Sequence, residues 1–366
     1  MPRILFNMPS QFAGRPSGVA RVAFELLNKL IGKDDFEYVL RSPWSTEQLP
    51  GFLQQRQLKV VVIPRPSILV FDVIRQALTF PNYCRRENID LVVNVDPYGA
   101  ASGGRARLMI VHDLYFKTIP QQIRRQARLT NDLIYRLMLR GNSNLVTVSN
   151  ATRADLERWY PQARGRTATI HSAPSLDPGH PESTPLVGGR YIMAVGNATE
   201  NKNFPALAKA MADNHLSYPD VSLVHVGHDP SEILNRTLQR LNSQVRLLRF
   251  SGIDDLQLAT LYRNASCLCV PSLSEGFCLP ILEAQTYGCP VVCSDRSAMP
   301  EIAGKGAILV DPTDSIALAN GLRSVLDDPE QAKLLVRLGL ENARNFSWDR
   351  TARQYHDLFT RMLAAA

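Results

Sequence analysis

Short apolar runs alternate with longer amphipathic stretches along most of this chain. The runs have the length of β-strands, and the longer stretches repeat apolar residues every three or four positions, as helices do. This alternation is typical of parallel α/β sheets, in which a helix connects each strand to the next. Candidate strands lie at 3–7, 37–41, 58–64, 91–96, 107–112, 145–149 and 167–172 in the first half, and at 191–195, 222–226, 245–250, 267–270, 290–294 and 307–310 in the second.

A segment rich in proline and glycine separates the two halves. Residues 173–189 show no apolar periodicity, which predicts a linker. The sequence therefore predicts an N-terminal domain at 1–172 and a C-terminal domain at 190–347, both of Rossmann-like α/β class. The amphipathic stretch 348–366 predicts a final helix. Two such domains facing each other leave a cleft, and such clefts are favoured ligand sites.

The strongest chemical signal lies in residues 271–284, which read PSLSEGFCLPILEA. A strand pattern precedes this segment, Gly276 marks a turn, and a helical pattern follows with Pro280 in its first turn. Backbone N–H groups and the helix dipole at such a turn together bind anions. Glu275 and Glu283 border the turn and would repel a phosphate, so we expect them to accept hydrogen bonds from neutral hydroxyls. A phosphate site beside hydroxyl acceptors predicts a nucleotide-sugar.

The two glutamates in this setting resemble the signature of retaining glycosyltransferases of family 4, which have the GT-B fold. The resemblance implies that Glu275 contacts the transferred sugar and that Glu283 binds the ribose of the nucleotide. It assigns the diphosphate to the intervening backbone amides, which belong to Gly276, Phe277, Cys278 and Leu279. Cys278 stands where the family prefers glycine.

The loop that opens the second half contains a lysine suited to the same ligand. Lys202 can act as a point charge that neutralises a departing diphosphate. The resemblance supports this role, because the family has a lysine six positions after the loop glycine. It usually has an arginine as well, at one of two positions that Asn197 and Asn201 occupy here, so one phosphate-binding cation is absent. The other donor-binding positions that the resemblance implies are Gly196, Asn197, Gly252 and Ile253.

The loop after the first strand contains two glycines, Gly14 and Gly18. Ser17 is the predicted N-cap of a helix that continues to about Leu30. The spacing of the glycines does not match the dinucleotide fingerprint. The loop is instead similar to the glycine-rich loop of family 4, which implies that Gly14 and Gly18 face the donor phosphate and the acceptor.

His112 and Asp113 end a buried strand, and ligands in open α/β sheets bind outside the carboxyl ends of strands. A histidine there can hydrogen-bond a sugar hydroxyl, and Asp113 can fix its tautomer or accept from the acceptor substrate. An isolated pair of this kind is more typical of a cap at a helix start. The resemblance favours the catalytic interpretation, because many members carry such a pair beside the reacting sugar.

The chain has 366 residues and a formal net charge of +7, unevenly distributed. Its arginines concentrate in one helical stretch, at Arg124, Arg125, Arg128, Arg136 and Arg140. This distribution favours an anionic partner, for which we expect an anionic membrane surface carrying a lipid-linked acceptor. A merely solvated helix face is the alternative. Nucleic acid is disfavoured, because no motif interleaves aromatic and basic residues.

No apolar run is long enough to cross a membrane, and the N-terminus lacks the apolar region of a signal peptide. We therefore expect a cytoplasmic protein, peripheral on the inner face of the membrane. Six cysteines are present. Cys267 and Cys269 have strand spacing without further ligands, which predicts buried thiols and no metal site.

The family resemblance implies hexose transfer with retention of configuration, without metal or other cofactor, and with the donor phosphate as base. It also implies that the final helix, at 348–366, packs back on the N-terminal domain. His112, Lys202 and Glu275 are the predicted catalytic residues. The lysine loop resembles that of bacterial mannosyltransferases of surface polysaccharide synthesis, so GDP-mannose is the first predicted donor and UDP-glucose the second. Three alternatives remain: a nucleotide-sugar-binding protein without turnover, a phosphorylase or epimerase on the same fold, and a periplasmic-type binding protein, which the missing export signal disfavours.

Overall fold

The computed structural model of the protein describes residues 1–10, 17–32, 35–63, 69–176, 184–214 and 218–366. Contacts between residues divide the chain into two compact units. Unit 1 consists of Met1–Ala173 together with Ser347–Ala366, and unit 2 consists of Pro174–Phe346.

Unit 1 is built on a parallel sheet of seven strands in the order β3-β2-β1-β4-β5-β6-β7. Ile4 at the centre of the sheet pairs with Tyr38 on one side and with Leu91 on the other. The central strands are apolar on both faces because helices cover both faces. The strands are β1 (Arg3–Asn7), β2 (Glu37–Ser42), β3 (Lys59–Val62), β4 (Leu91–Asn94), β5 (Ala106–Val111), β6 (Asn144–Thr147) and β7 (Thr167–Thr169).

Six α-helices in the described part of unit 1 precede the linker. In the first of them Ser17 is the N-cap, and its hydroxyl accepts the Ala20 N–H, as the sequence predicts. The helices are α1 (Gly18–Leu30), α2 (Gly51–Gln54), α3 (Leu69–Arg86), α4 (Tyr115–Thr118), α5 (Arg125–Gly141) and α6 (Asn150–Trp159).

Unit 2 contains a parallel sheet of six strands in the order β10-β9-β8-β11-β12-β13. Its strands are β8 (Tyr191–Val195), β9 (Ser222–Val226), β10 (Leu247–Phe250), β11 (Cys267–Val270), β12 (Val291–Ser294) and β13 (Ala307–Val310). Its helices are α7 (Phe204–Asn214), α8 (Ile233–Arg240), α9 (Asp255–Asn264), α10 (Leu279–Thr286), α11 (Met299–Ala303), α12 (Ser315–Leu326) and α13 (Pro329–Ala343). Leu207, Leu223 and Leu322 lie fully buried in the core on one face of the sheet.

The last helix, α14 (Trp348–Ala364), belongs to unit 1 although it follows unit 2 in the chain. The Phe359 ring packs edge-on against Phe6 of β1, with 6.3 Å between the ring centroids. The Thr351 hydroxyl donates to the His171 carbonyl over 2.8 Å. An apolar stripe along α14 thus completes the core of the first unit.

Both sheets reverse their strand order at one place. The reversal lies between β1 and β4 in unit 1 and between β8 and β11 in unit 2. At such a point the connections on either side run to opposite faces of the sheet, which leaves a crevice at the carboxyl ends of the two strands. The residues that follow β8 and β11 are therefore the first candidates for ligand contacts in unit 2.

The predicted α/β class and the positions of all thirteen predicted strands are confirmed. The largest differences lie at edge strands, where β3 and β7 are shorter than the predicted 58–64 and 167–172. An edge strand pairs on one side only, so its length depends on its neighbour's register, which a local pattern does not contain. No helix in the described part of the chain is long and apolar enough to cross a membrane.

Candidate active site

Two loops meet at the carboxyl edge of the unit 2 sheet, one after β8 and one after β11. The Leu273 N–H donates to the Asn201 carbonyl over 2.7 Å. The Asn201 side-chain amide donates to the Ser274 carbonyl over 3.4 Å. The strand order thus places residues 196–203 against residues 271–278, which are far apart in the sequence.

An ion pair joins the two loops at their centre. The Lys202 Nζ lies 2.7 Å from the Glu275 Oε1, and the two side chains are only 17% and 13% exposed. Low exposure limits the screening of this pair by water and salt. The structure therefore brings together two of the three predicted catalytic residues.

The backbone of Glu275 is held by a residue that the sequence analysis did not identify. The Ser297 hydroxyl donates to the Glu275 carbonyl over 2.6 Å and accepts the Glu275 N–H over 3.3 Å. Ser297 has a φ of +57°, which is uncommon for a residue with a side chain. It follows β12, the neighbour of β11, so only the strand order reveals this clamp.

Glycine is required at position 196, where β8 ends, because its φ is +123° and the Lys202 side chain lies close to where a Cβ would be. A Cβ on Gly196 would lie 3.1 Å from the Lys202 Cε. A Cβ on Gly227, which follows β9, would lie 2.2 Å from the Gly196 carbonyl oxygen. The two glycines let the lysine and the neighbouring strand end approach the loop backbone closely.

Asn197 and Asn201 brace the lysine loop. The Asn197 Oδ1 accepts the His228 N–H over 3.1 Å, and the Ala198 N–H donates to the His228 carbonyl over 2.8 Å. The Asn201 Oδ1 accepts from the Thr199 hydroxyl over 2.6 Å. The positions where the family usually has an arginine thus hold short amides that support the loop.

Glu283 lies one turn into α10 and is 5% exposed. Its Oε2 accepts a hydrogen bond of 2.9 Å from the Tyr262 hydroxyl. Burial and the nearby carboxylate raise the pKa of Tyr262 well above its ordinary value, so this hydroxyl remains a donor. Tyr262, on α9, is a second partner that the sequence analysis did not identify.

Cys278 precedes α10 in the left-handed backbone region, with a φ of +74°. This conformation explains why glycine is preferred there, since a Cβ is costly in that region. Burial raises the pKa of the Cys278 thiol well above its ordinary value, so the side chain is a neutral filler. Phe277 packs edge-on against Phe346 with 6.1 Å between the ring centroids, and Gly276 completes the turn before Leu279 begins the helix.

Gly252 and Ile253 follow β10, the edge strand, which lies two strands from β8. They lie at the same edge of the sheet as the lysine loop. Gly252 has a φ of +79°, so the turn there needs glycine.

In unit 1, His112 follows β5 and donates from Nε2 to the Val95 carbonyl over 2.9 Å. Burial lowers the pKa of His112 to about 4, so the imidazole is neutral near pH 7 and Nδ1 is a hydrogen-bond acceptor. The structure gives the role of fixing the tautomer to Val95 rather than to Asp113. The Asp113 carboxylate instead accepts the Tyr115 N–H over 3.4 Å.

Of the two predicted glycines in unit 1, Gly18 is the first residue of α1, and a Cβ there would meet no atom of the described residues within 4 Å. Gly14 lies outside the described residues. Among the described residues, no group of three or more histidine, cysteine, aspartate or glutamate side chains could hold a metal ion.

Two family models divide the chain between them. The model described as Glycosyltransferase Family 4 matches residues 16–177, and the model described as Glycosyl transferases group 1 matches residues 180–344.

Two mannosyltransferases are among the similar curated proteins. The O-antigen chain mannosyltransferase B of Escherichia coli is 30% identical over 224 residues, which are 57% of this chain and 58% of that protein. The phosphatidyl-myo-inositol mannosyltransferase of Mycobacterium tuberculosis H37Rv is 30% identical over 227 residues, which are 57% of each. The chain thus spans little more than half the length of these curated relatives.

Solved structures resemble the whole chain. The sucrose-phosphate synthase of Thermosynechococcus elongatus has a TM-score of 0.82 at 22% identity and covers 100% of both chains. HepE of Anabaena, solved in complex with UDP-glucose, has a TM-score of 0.76 at 17% identity and covers 98% of this chain and 99% of its own. At these identities the likeness establishes a shared fold.

The backbone conformation of Cys278 leads to a test of stability. We expect Cys278→Gly to be more stable than Cys278→Ala by about 1 kcal/mol, because glycine adopts a positive φ without steric cost. Urea unfolding of both variants measures this difference. At Ala284, inside α10, the order should reverse, with Ala284→Gly less stable than wild type by about 1 kcal/mol. A Cys278→Ala protein as stable as Cys278→Gly would contradict the assignment.

The lowered pKa of His112 predicts a dependence of stability on pH. Between the ordinary pKa of 6.5 and the folded value of about 4, the unfolded imidazole binds a proton that the folded one does not. The free energy of unfolding should therefore fall as the pH decreases through this range, by at most about 1.4 kcal/mol per pH unit from this group. Denaturant titrations at several pH values should give a smaller slope for His112→Gln. Equal slopes in the two proteins would contradict the prediction.

Proposed function

This chain belongs to family 4 of the glycosyltransferases, with the GT-B fold, and we propose from this premise that it transfers a hexose from a nucleoside diphosphate sugar to a saccharide acceptor. The observation that carries the proposal is the 2.7 Å ion pair between Lys202 and Glu275 at the strand-order reversal of unit 2. A cation, a carboxylate and the start of a helix meet there. These groups together suit a ligand that is an anion at one end and a polyol at the other.

The proposed chemistry is the departure of a diphosphate from the sugar carbon. Two kinds of group would stabilise the charge that develops on the leaving group: the Lys202 ammonium, and the backbone amides at the start of α10. These amides include those of Gly276, Phe277, Cys278 and Leu279. Around this diphosphate, Gly196, Asn197, Gly252 and Ile253 are the remaining proposed donor contacts. In this proposal the backbone amides at the helix start and the Lys202 ammonium stabilise the negative charge, so no metal ion is needed for that role.

The ion pair also explains how the Glu275 carboxylate can lie beside a bound phosphate, although the two groups carry charge of the same sign. A lysine ammonium has three donors, so Lys202 can contact Glu275 and a phosphate oxygen at the same time. The Glu275 carboxylate then accepts hydrogen bonds from the sugar hydroxyls. Glu283, already held by Tyr262, would accept from the ribose. We propose retention of configuration: an acceptor hydroxyl oxygen bonds to the sugar carbon on the face that the diphosphate leaves, and the hydroxyl proton passes to the donor phosphate, which acts as base.

In unit 1, we propose that the Nδ1 of His112 accepts a hydrogen bond from a sugar hydroxyl. The Val95 carbonyl fixes the tautomer that makes this possible. Gly14, Gly18 and Asp113 are the residues that we propose for the acceptor side.

GDP-mannose is the proposed donor, because both curated relatives described above are mannosyltransferases. UDP-glucose is the second candidate, because HepE was solved with it. The decisive experiment incubates the purified chain with each donor and an extract of lipid-linked saccharides, and measures the released nucleoside diphosphate and the anomeric configuration of the product by NMR. Donor binding without release, under every acceptor condition, would support a binding protein without turnover instead.

Removal of the lysine tests the proposed role of the ion pair. Lys202→Ala should lower kcat by about 10²–10³-fold, because the departing diphosphate loses its preorganised cation. Steady-state rates of nucleoside diphosphate release measure this effect. Lys305→Ala changes an exposed lysine elsewhere in unit 2 and should leave kcat within about twofold of wild type. Full activity of Lys202→Ala would contradict the proposed mechanism.

We further propose that the chain works at the cytoplasmic face of an anionic membrane, where it meets a lipid-linked acceptor. Leu129, Leu133 and Leu137 recur every fourth residue along α5 and are 59%, 58% and 43% exposed. Exposed arginines lie among them at Arg125, Arg136 and Arg140, and the Arg136 guanidinium is paired with Asp132 of the same helix over 3.0 Å. An apolar stripe with basic residues is suited to the interface of an anionic bilayer, where each arginine contributes about 1 kcal/mol.

Vesicle sedimentation tests this arginine–leucine face of α5. The chain should sediment with phosphatidylglycerol vesicles and less with phosphatidylcholine vesicles, and the binding should weaken as salt increases. Leu129→Gln with Leu133→Gln, and separately Arg136→Gln with Arg140→Gln, should each lower the bound fraction severalfold. Ile316→Gln, an equally exposed apolar residue of unit 2, should not. Binding that is insensitive to salt, to lipid charge and to these changes would contradict the proposal.

A further inference from the structure

His225 is a fully buried histidine in β9 that contacts both ends of the lysine loop. Its Nε2 lies 2.8 Å from the carbonyl oxygen of Gly196, where the loop begins. Its ring packs edge-on against the ring of Phe204, the first residue of α7, with 5.1 Å between the centroids. The imidazole thus contacts both Gly196, where the chain leaves β8, and Phe204, where it enters α7.

The hydrogen bond has a defined direction. A carbonyl oxygen can only accept, so Nε2 carries the hydrogen and donates to Gly196. Burial lowers the pKa of His225, which keeps the ring neutral and this tautomer in place near neutral pH. The Nδ1 is buried and has no hydrogen-bond partner in the described part of the chain.

Such a residue is costly if its only task is to fill the core. The neighbouring positions of β9 are the apolar Leu223, Val224 and Val226, and an apolar side chain at 225 would avoid burying an unpaired nitrogen. The cost of burying this nitrogen is offset if the protein needs the hydrogen bond from His225 to Gly196. That bond fixes the carbonyl group of Gly196. The same carbonyl carbon is bonded to the nitrogen of Asn197, where the rest of the loop begins.

Lys202 depends on the position of Gly196. The lysine side chain crosses this glycine, with the Cε 3.1 Å from where a Cβ would lie, before it reaches Glu275. A shift of the Gly196 peptide would therefore move the surface against which the lysine rests. A displacement of about 1 Å at a catalytic group can lower a rate by about 10²-fold.

We propose that His225 is a positioning residue for Lys202, holding both ends of the loop so that the ammonium remains beside Glu275. As a contribution to catalysis, this inference rests on the proposed function; as a statement about the loop, it is independent of it. His225 lies outside the predicted site residues.

A double-mutant cycle tests the catalytic part. His225→Phe keeps the ring contact with Phe204 and removes the donor, so it should lower kcat/KM by about 10–100-fold. His225→Gln retains an N–H donor and should recover most of this loss. If His225 acts through Lys202, the double variant His225→Phe with Lys202→Ala should be no less active than Lys202→Ala alone. Losses that simply multiply would overturn the proposal.

Chemical labelling of Lys202 tests the positioning part without any enzymatic activity. In the wild-type chain the paired ammonium should react slowly with an amine-acylating reagent, relative to exposed Lys305, as quantified by mass spectrometry of the peptides. His225→Phe should raise Lys202 labelling severalfold and His225→Gln should not. Leu223→Val, a buried change in the same strand, controls for general loosening and should leave the labelling unchanged.

The two experiments fail in different ways. If the wild-type chain transfers no sugar, the proposed function fails, and the labelling still decides whether His225 positions Lys202. If Lys202 labelling is unchanged in His225→Phe, or rises equally in Leu223→Val, the positioning role is overturned whatever the activity.

Discussion

The ion pair between Lys202 and Glu275 is the interaction on which the unit 2 site depends. Its partners come from loops that follow β8 and β11, and these strands are neighbours only because the strand order reverses between them. On the lysine side, the pair needs glycine at two positions: Gly196 lets the Lys202 side chain lie close to the backbone, and Gly227 lets its own backbone lie close to that of Gly196. On the carboxylate side it needs the Ser297 clamp. The charges are therefore placed by backbone that is fixed on both sides.

The chain departs from the family pattern at positions where the structure supplies a local reason. Asn197 and Asn201 replace the usual arginine and instead support the lysine loop through short hydrogen bonds. Cys278 replaces the preferred glycine at a positive φ and fills a buried space beside the helix start. In the proposed function, phosphate recognition in unit 2 would therefore rely more heavily on Lys202 and on the helix start than the usual pattern does. We infer that this greater reliance makes precise placement of the lysine more important.

Much of the fold follows from local patterns in the sequence. The strands near Leu5 and Val92 are apolar on both faces, and Ser17 and Ser347 mark helix starts through their capping hydroxyls. For Glu275 and Lys202, the resemblance predicted only that both residues contact the same ligand. It did not predict that they contact each other. The partners Ser297, Tyr262 and His225 gave no comparable signal, because each lies on a different element from the residue that it contacts.

The sequence by itself determined the kind and position of the elements, the likeness to family 4 and the choice of the principal candidate site residues. These properties depend on side-chain periodicity, capping and spacing within short segments, which a linear pattern contains. Only the tertiary structure decided that Lys202 contacts Glu275 and that Val95 fixes the tautomer of His112. Such contacts depend on which strands become neighbours and on the conformation of the backbone at their ends. These are properties of the packed sheet as a whole, and no single segment specifies them.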